Sequence, residues 1–356
     1  MTGTGAAPAV EPEQLRQVFT ENGRLAPGAE LGEIRVDPIG TGQMADTVRV
    51  TFLRPSGNLP ASCVVKLPVG EGQTALTARH AAVYDREARF YAELRPEVPE
   101  LACPESYGTW DVDGEPALVL EDISGAQQGN QIAGAAPGQA TLAVDQLARY
   151  QHRWWNDDAF GAQDWLQRRA GAPIPERQQR YDAGWAKVLD SVASDLVDGA
   201  AEVIEEFGHH CDAWSQAYDG PLTLAHHDYR LDNMLFTDGS VTIVDWQTLG
   251  WGPPAWDLAY FMGTSLTVDE RRAAERDLVA RHAAQLRERG IDWSDAQAWD
   301  RYRQMSFSTF LLTVPAAGEV RTNDRARQMF VTMWNRAAQM VIDLDAREFL
   351  PLNGAN

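Results

Sequence analysis

Apolar positions fall into short runs over the first third of the chain and into helical stripes over the rest. Residues 34–40, 47–53, 61–67 and 117–123 are runs of strand length. Between the first two lie Gly40 and Gly42, so the pattern reads strand, glycine turn, strand. Residues 13–22 can form a first helix. Residues 77–94 carry helical spacing, with Val83, Glu87, Phe90, Tyr91 and Leu94 on one side. The stretch 124–140 is rich in Gly, Ala and Gln and reads as a linker. Beyond it a helix places Val144, Leu147, Ala148, Gln151 and Trp155 on one stripe. Residues 175–217 then read as long acidic helices with Trp185, Leu189, Val192 and Leu196 as apolar partners. Thr267 with Glu270, and Ser294 with Gln297, are capping boxes ahead of further helices, and the helical pattern runs on to Pro351.

Two regions follow from this division. The first is 1–123, sheet-bearing, with a frayed tail over 1–14, and the second is 124–356, mostly helical. A chain of 356 residues is long enough for two lobes sharing one cleft. Hydrophobic content of 44% and charged content of 23% are ordinary for a soluble globular protein. The formal charge of −20 argues against nucleic acid and anionic membranes as partners. It is compatible with a cationic or amine-bearing small molecule, and solubility explains it equally well. Cys63, Cys103 and Cys211 form no CxxC pair, so neither a disulfide framework nor a zinc site is expected. No secretion leader or membrane span is recognisable, which points to the cytoplasm.

The chemistry concentrates in residues 224–257. A strand enters a polar loop, a short hairpin follows, and then a second acid-bearing turn. Asn233 lies five residues after Asp228, and Asp245 twelve after Asn233. That order suits phosphoryl transfer, in which one acid orients a hydroxyl and takes its proton while an amide oxygen and a second acid hold magnesium. A surface hairpin with ordinary Asp and Asn turn residues is the plainer alternative, but the ordered set, followed by the apolar strand 241–244, favours chemistry. In the first region Lys66 ends an apolar strand, and Glu87 is an acid on the apolar side of its helix. Each calls for an opposite charge, and each is the obvious partner of the other.

The segment His226-His227-Asp228, with Asn233 and Asp245-Trp246-Gln247, resembles the catalytic segment of the aminoglycoside phosphotransferase and choline kinase-like superfamily, ecdysteroid kinase-like members included. The resemblance implies an α+β fold of the protein-kinase kind, bilobal, with a small antiparallel sheet plus helix and a larger, mostly helical lobe. It implies ATP and Mg2+ as cofactors and a small-molecule hydroxyl as acceptor. On this pattern Asp228 orients and accepts the proton, His226 holds the loop, and Arg230 offsets charge on the moving phosphoryl group. Asn233 and Asp245 bind the metal. Lys66 grips the α and β phosphates, Gly40 and Gly42 belong to a loop over them, and backbone groups near Glu121 and Ile123 meet the base. Asp257 braces the loop and opens its own helix. His227 stands where the common pattern has Gly. For His152 a packing role is preferred, and adjacent His209 and His210 with Cys211 do not make a metal site. The acidic helices are either a solvated face or a wall for an amine. A nucleotide-binding module without catalysis is the alternative. A protein kinase is the weaker third reading, because no Ala-Pro-Glu segment follows Asp245.

Overall fold

The computed structural model describes residues 10–39, 46–68, 77–319 and 323–351, and the chain divides into two compact units. The first comprises residues up to Pro99, Cys103–Ala126 and Val244–Gln247, and the second holds the remainder. Gly40 and Gly42 lie outside the described residues.

In the first unit, helix α1 (Pro12–Glu21) precedes strands β1 (Ile34–Pro38), β2 (Asp46–Phe52) and β3 (Ser62–Leu67). Helix α2 (Thr77–Arg89) runs on through a π turn over Phe90–Leu94 and is followed by β4 (Ser106–Val112) and β5 (Glu115–Glu121). The five strands form one antiparallel sheet in the order β1-β2-β3-β5-β4. Side chains alternate along a strand. In β3 this buries Cys63, Val65 and Leu67 on one face and sends Lys66 to the other. Helix α1 covers the buried face with Leu15, Val18 and Phe19, spaced three and four apart. The Phe19 ring meets Phe52 at 5.5 Å and Tyr107 at 5.2 Å. The β4–β5 turn is Asp113-Gly114 with φ of 55° and 89°, both left-handed, which matches the twist of a tight hairpin.

The second unit is mainly helical. Its strands are β6 (Gln127–Gln128), β7 (Gln167–Arg168), β8 (Thr223–Ala225), β9 (Met234–Thr237), β10 (Ser240–Ile243) and β11 (Gly250–Gly252). They form two three-stranded sheets, β10-β9-β6 and β7-β11-β8. Its helices are α3 (Pro137–Gln151), α4 (Asp158–Gly161), α5 (Arg177–Val192), α6 (Ala200–Gln216), α7 (Pro254–Ser265), α8 (Val268–Glu288), α9 (Asp295–Gln304), α10 (Ser308–Glu319) and α11 (Asp324–Asp343). Helix α7 is the centre: every residue from Pro254 to Ser265 is buried, as expected for a helix apolar on nearly all sides. Both capping boxes form, with Glu270 N donating to Thr267 and Gln297 N to Ser294. Two tight tertiary features close the unit. Gly184 and Gly318 let α5 and α10 approach so closely that a Cβ on Gly318 would fall 2.6 Å from the Gly184 Cα. Buried Arg271 on α8 donates to Glu275 at 2.6 Å and to Asp343 on α11, while Tyr302 on α9 donates to Glu275 at 2.9 Å.

Three sequence expectations change. Residues 124–140 are more than a linker: β6 pairs with β9, and fully buried Gln131 accepts from Leu231 N at 2.9 Å and donates to Thr264 O at 2.8 Å. A polar residue is buried there because its amide satisfies backbone groups of the neighbouring loop. On α5 the buried stripe is Tyr181, Trp185, Val188 and Val192, whereas Leu189 is half-buried, and Leu196 beyond the helix end is half-buried too. Asp257 does not cap its own helix. Pro254, at the first helical position, has no N–H, and the carboxylate turns to the preceding loop instead.

Candidate functional site

Each unit gathers its own share of the expected residues. In the first unit, Lys66 on β3 projects to the face away from the α1-covered core. Its Nζ lies 2.5 Å from Glu87 Oε2 on α2 and 2.8 Å from Asp245 Oδ1. Burial acts downward on the Lys66 pKa, but Asp245 and Glu87 outweigh it and hold the ammonium charged above its ordinary value. The segment carrying Asp245 is fastened to α2 and the π turn after it at three further points. Trp246 N donates to Glu87 Oε1 at 3.2 Å, Arg86 Nη1 donates to Gln247 O at 2.8 Å, and the Trp246 ring stacks on Phe90 at 4.0 Å and 6°. Asp245 itself has φ of 68°, a left-handed conformation unusual for a residue other than glycine. Its side chain keeps 26% exposure. Glu121 N donates to Glu105 O at 2.8 Å. Ile123 O accepts from Ala126 N at 3.2 Å.

In the second unit the polar loop leaves β8 and is held by α7. Asp257 Oδ2 accepts from His226 N at 2.7 Å and from the Tyr150 hydroxyl at 2.7 Å, and Oδ1 accepts from His227 N at 2.8 Å. Burial pushes the Asp257 carboxyl up, and those donors oppose it. His226 O accepts from the Thr248 hydroxyl at 2.8 Å, and Asp228 N donates to His226 Nδ1 at 3.3 Å, so His226 fixes the loop through backbone and ring alike. His227 adopts φ of 66°. A side chain survives at this strained position because its ring is wholly buried against Trp256, 5.1 Å between centroids, and because Gly252 leaves space for it. A Cβ at Gly252 would fall 2.3 Å from His227 Nε2.

Asp228 then receives a set of donors. Arg230 Nε lies 3.0 Å from Oδ1 and 3.1 Å from Oδ2, the Tyr260 hydroxyl donates to Oδ1 at 2.9 Å, and Asn233 Nδ2 donates to Oδ2 at 3.0 Å. Burial is the largest influence on this carboxyl and acts upward, yet Arg230, His226 and Tyr260 together hold it below its ordinary value. Arg230 is fixed in turn: Nη1 lies 3.0 Å from Asp232 Oδ2 and 3.4 Å from Met329 Sδ. Its charge is therefore shared between two carboxylates. Asn233 also donates Nδ2 to Asp228 O at 2.9 Å, which orients the amide and makes Oδ1 its acceptor atom.

Of the expected residues, Lys66, Glu87 and Asp245 are thus brought together in one unit, and His226, Asp228, Arg230 and Asn233 in the other. Sequence reasoning missed Tyr260 and Arg86. The first could have been found from its place three residues after Asp257, on the same helical face. His152 is half-buried with Nδ1 2.9 Å from Ala148 O, in keeping with a packing role. Among the described residues no group of three or more His, Cys, Asp or Glu could hold a metal ion.

The antiparallel sheet with its Lys–Glu pair and the helical unit with its acid-bearing loop define an α+β fold of the protein-kinase kind. The phosphotransferase enzyme family model matches residues 36–304, and the chain belongs to that family. Three solved structures share the fold. A choline kinase from Cryptosporidium parvum superposes with a TM-score of 0.60 at 11% identity, covering 95% of this chain and 98% of that one. A Ralstonia eutropha protein classed with the aminoglycoside phosphotransferases gives 0.54 at 16%, with 94% and 98% covered. A choline kinase from Streptococcus pneumoniae gives 0.52 at 14%, with 93% and 98% covered. No curated protein sequence matches the chain. Among the described residues, no helix is long and apolar enough to cross a membrane.

Proposed function

We propose that the protein is an ATP-dependent phosphotransferase that moves the γ-phosphoryl group to a hydroxyl of a small molecule. The observation that carries this reading is the state of Asp228: a carboxylate held charged and oriented by Arg230, Tyr260 and Asn233, in a chain of the phosphotransferase enzyme family. A carboxylate so placed fixes the attacking hydroxyl by accepting its hydrogen bond. Its lowered basicity suits orientation first and proton acceptance late, as the hydroxyl oxygen bonds to phosphorus.

Asn233 Oδ1 and the Asp245 carboxylate are the proposed magnesium ligands. The donor set fits the ion: both are hard oxygen atoms, and magnesium keeps water and phosphate oxygens for its other positions. Bound there, the ion would draw charge from the nucleotide phosphates. Lys66, held charged by Glu87, is the proposed ligand of the α and β phosphates, and the glycines at 40 and 42 the proposed cover. Backbone groups at Glu121 and Ile123 are the proposed contacts of the base. Arg230 reads better as a support of Asp228 than as a contact of the moving phosphoryl group, because two carboxylates already share its charge.

The acceptor class is open to amino sugars, choline analogues, steroids and hydroxyacyl-CoAs. The test is incubation with MgATP and each class, read by mass spectrometry. Gain of one phosphoryl group on an acceptor, with ADP formed, is the expected result. Tight MgATP binding with no transfer to any acceptor would favour a sensing module instead.

A further inference from the structure

Helix α7 holds the polar loop at both ends. On entry, Asp257 near the helix start accepts from His226 N and His227 N. On exit, the link runs through Gln131. Leu231 N donates to Gln131 Oε1 at 2.9 Å, and Gln131 N donates to Asp232 Oδ1 at 3.1 Å. Gln131 is anchored in turn to the far end of α7, where its Nε2 donates to Thr264 O at 2.8 Å. Thr264 is the last residue but one of the helix, and the last four carbonyls of a helix have no partner within it. Arg336 on α11 completes the anchor. Its Nη1 donates to Gln131 O at 2.8 Å and to Thr264 O at 2.9 Å, and its Nη2 to Ile132 O at 2.9 Å. Asp228, Tyr229 and Arg230 are strung between the two held limbs.

We propose that Gln131 is a positioning residue for Asp228 and Arg230, fixing the exit limb of the loop that carries them. This rests on the phosphotransferase reading for its function, though not for its geometry. Arg230 reaches Asp228 through Nε and Asp232 through Nη1, both at 3.0 Å. Arg230 therefore stays turned to Asp228 only while Asp232 keeps its place. Arg230 takes one oxygen of Asp232, and Gln131 N holds the other. The Asp232 carbonyl accepts from Gln128 Nε2 at 2.6 Å. Gly129 lies so near that a Cβ there would fall 2.4 Å from Leu231 O, so the stretch 128–131 lies flat against the exit limb. Gln131 is fully buried, and a buried amide costs free energy unless its groups are bonded. Here each polar atom of the residue has a partner. An apolar residue of the same size would fill the space equally well and leave Leu231 N without an acceptor. The amide is thus matched to the loop, not to the core.

The test compares Gln131→Met, which keeps the bulk and removes the acceptor, with Gln131→Glu, which keeps an acceptor for Leu231 N. The first reading is amide hydrogen exchange followed by mass spectrometry. In Gln131→Met the peptide covering residues 229–236 should exchange about tenfold faster or more, with α8 and α9 unchanged. The second reading is ATP turnover, with the most active acceptor found or with water. Gln131→Met should lower kcat about tenfold with KM for ATP unchanged, and Gln131→Glu should recover kcat to within about threefold of the parent. Faster exchange confined to the loop, with no phosphoryl transfer by parent or variants, would keep the clamp and remove the phosphotransferase reading. Unchanged loop exchange in Gln131→Met, an acceleration shared equally by α8 and α9, or equal kcat in the two variants would overturn the proposal.

Discussion

Asp245 and Asp228 are both acids with a cation beside them, and the two units hold them in opposite ways. Asp245 meets Lys66 at 2.8 Å and the Gln247 amide at 3.3 Å, and a quarter of its side chain stays open. Lys66 has a second and closer partner in Glu87, at 2.5 Å, so it can let Asp245 go without losing its counter-charge. Asp228 has donors on both oxygens from Arg230, Tyr260 and Asn233, and the backbone of the two residues before it is fixed through Asp257 and Thr248. The contrast teaches a division of labour. On the proposed function, Asp245 is to exchange a lysine for a metal, and it is held by a bond that can be replaced. On the same proposal Asp228 is to aim a hydroxyl, and it is held by several donors at once.

Substitutions can break that contrast, and they should rank by how directly they touch it. Asp228→Asn should have the largest effect, lowering kcat by about a thousandfold or more with ATP affinity retained. Steady-state kinetics beside calorimetric titration would check both halves. Lys66→Met should cost about a hundredfold in kcat/KM for ATP, since it removes the proposed phosphate ligand. It should also destabilise the first unit by roughly 3–5 kcal/mol, because Glu87 stays buried without its cation. Urea melts of that variant against Lys66→Arg, which keeps the charge, separate the two effects.

Asp257→Asn should come next. An amide turns a donor toward at least one of the three groups that Asp257 now accepts from. The expected result is a loss of about 1–3 kcal/mol in thermal unfolding and a fall in kcat of about tenfold as the loop loosens. The smallest and most local effect is at Gly252. Gly252→Ala drives a methyl onto the His227 ring and should cost about 1–3 kcal/mol. Combined with His227→Gly, the same alanine should cost markedly less, a coupling visible in a double-mutant cycle.

Much of this was legible in the sequence because it depends on local spacing. Lys66 and Glu87 could be paired because one is a lysine on an apolar strand and the other an acid on the apolar side of a helix. The capping boxes at Thr267 and Ser294 could be read because their geometry spans four residues. What could not be read depends on distant partners. Residues 244–247 belong to the first unit through Glu87, Arg86 and Phe90, more than 150 positions earlier. The Gly- and Gln-rich run near 131 looks like a linker until Leu231 and Thr264 supply the groups that Gln131 satisfies. His227 looked like an awkward replacement for glycine. The residue that accommodates it, Gly252, is a second glycine 25 positions on, and no local rule joins the two.

The division between a replaceable and an immovable acid is tested most directly by titrating MgATP into Asp228→Asn and Asp245→Asn side by side in a calorimeter. The account predicts that Asp228→Asn binds MgATP as the parent does, while Asp245→Asn binds at least about tenfold more weakly, since the proposed metal ligand is lost. Equal binding by Asp245→Asn and the parent, or a matching loss in Asp228→Asn, would contradict it.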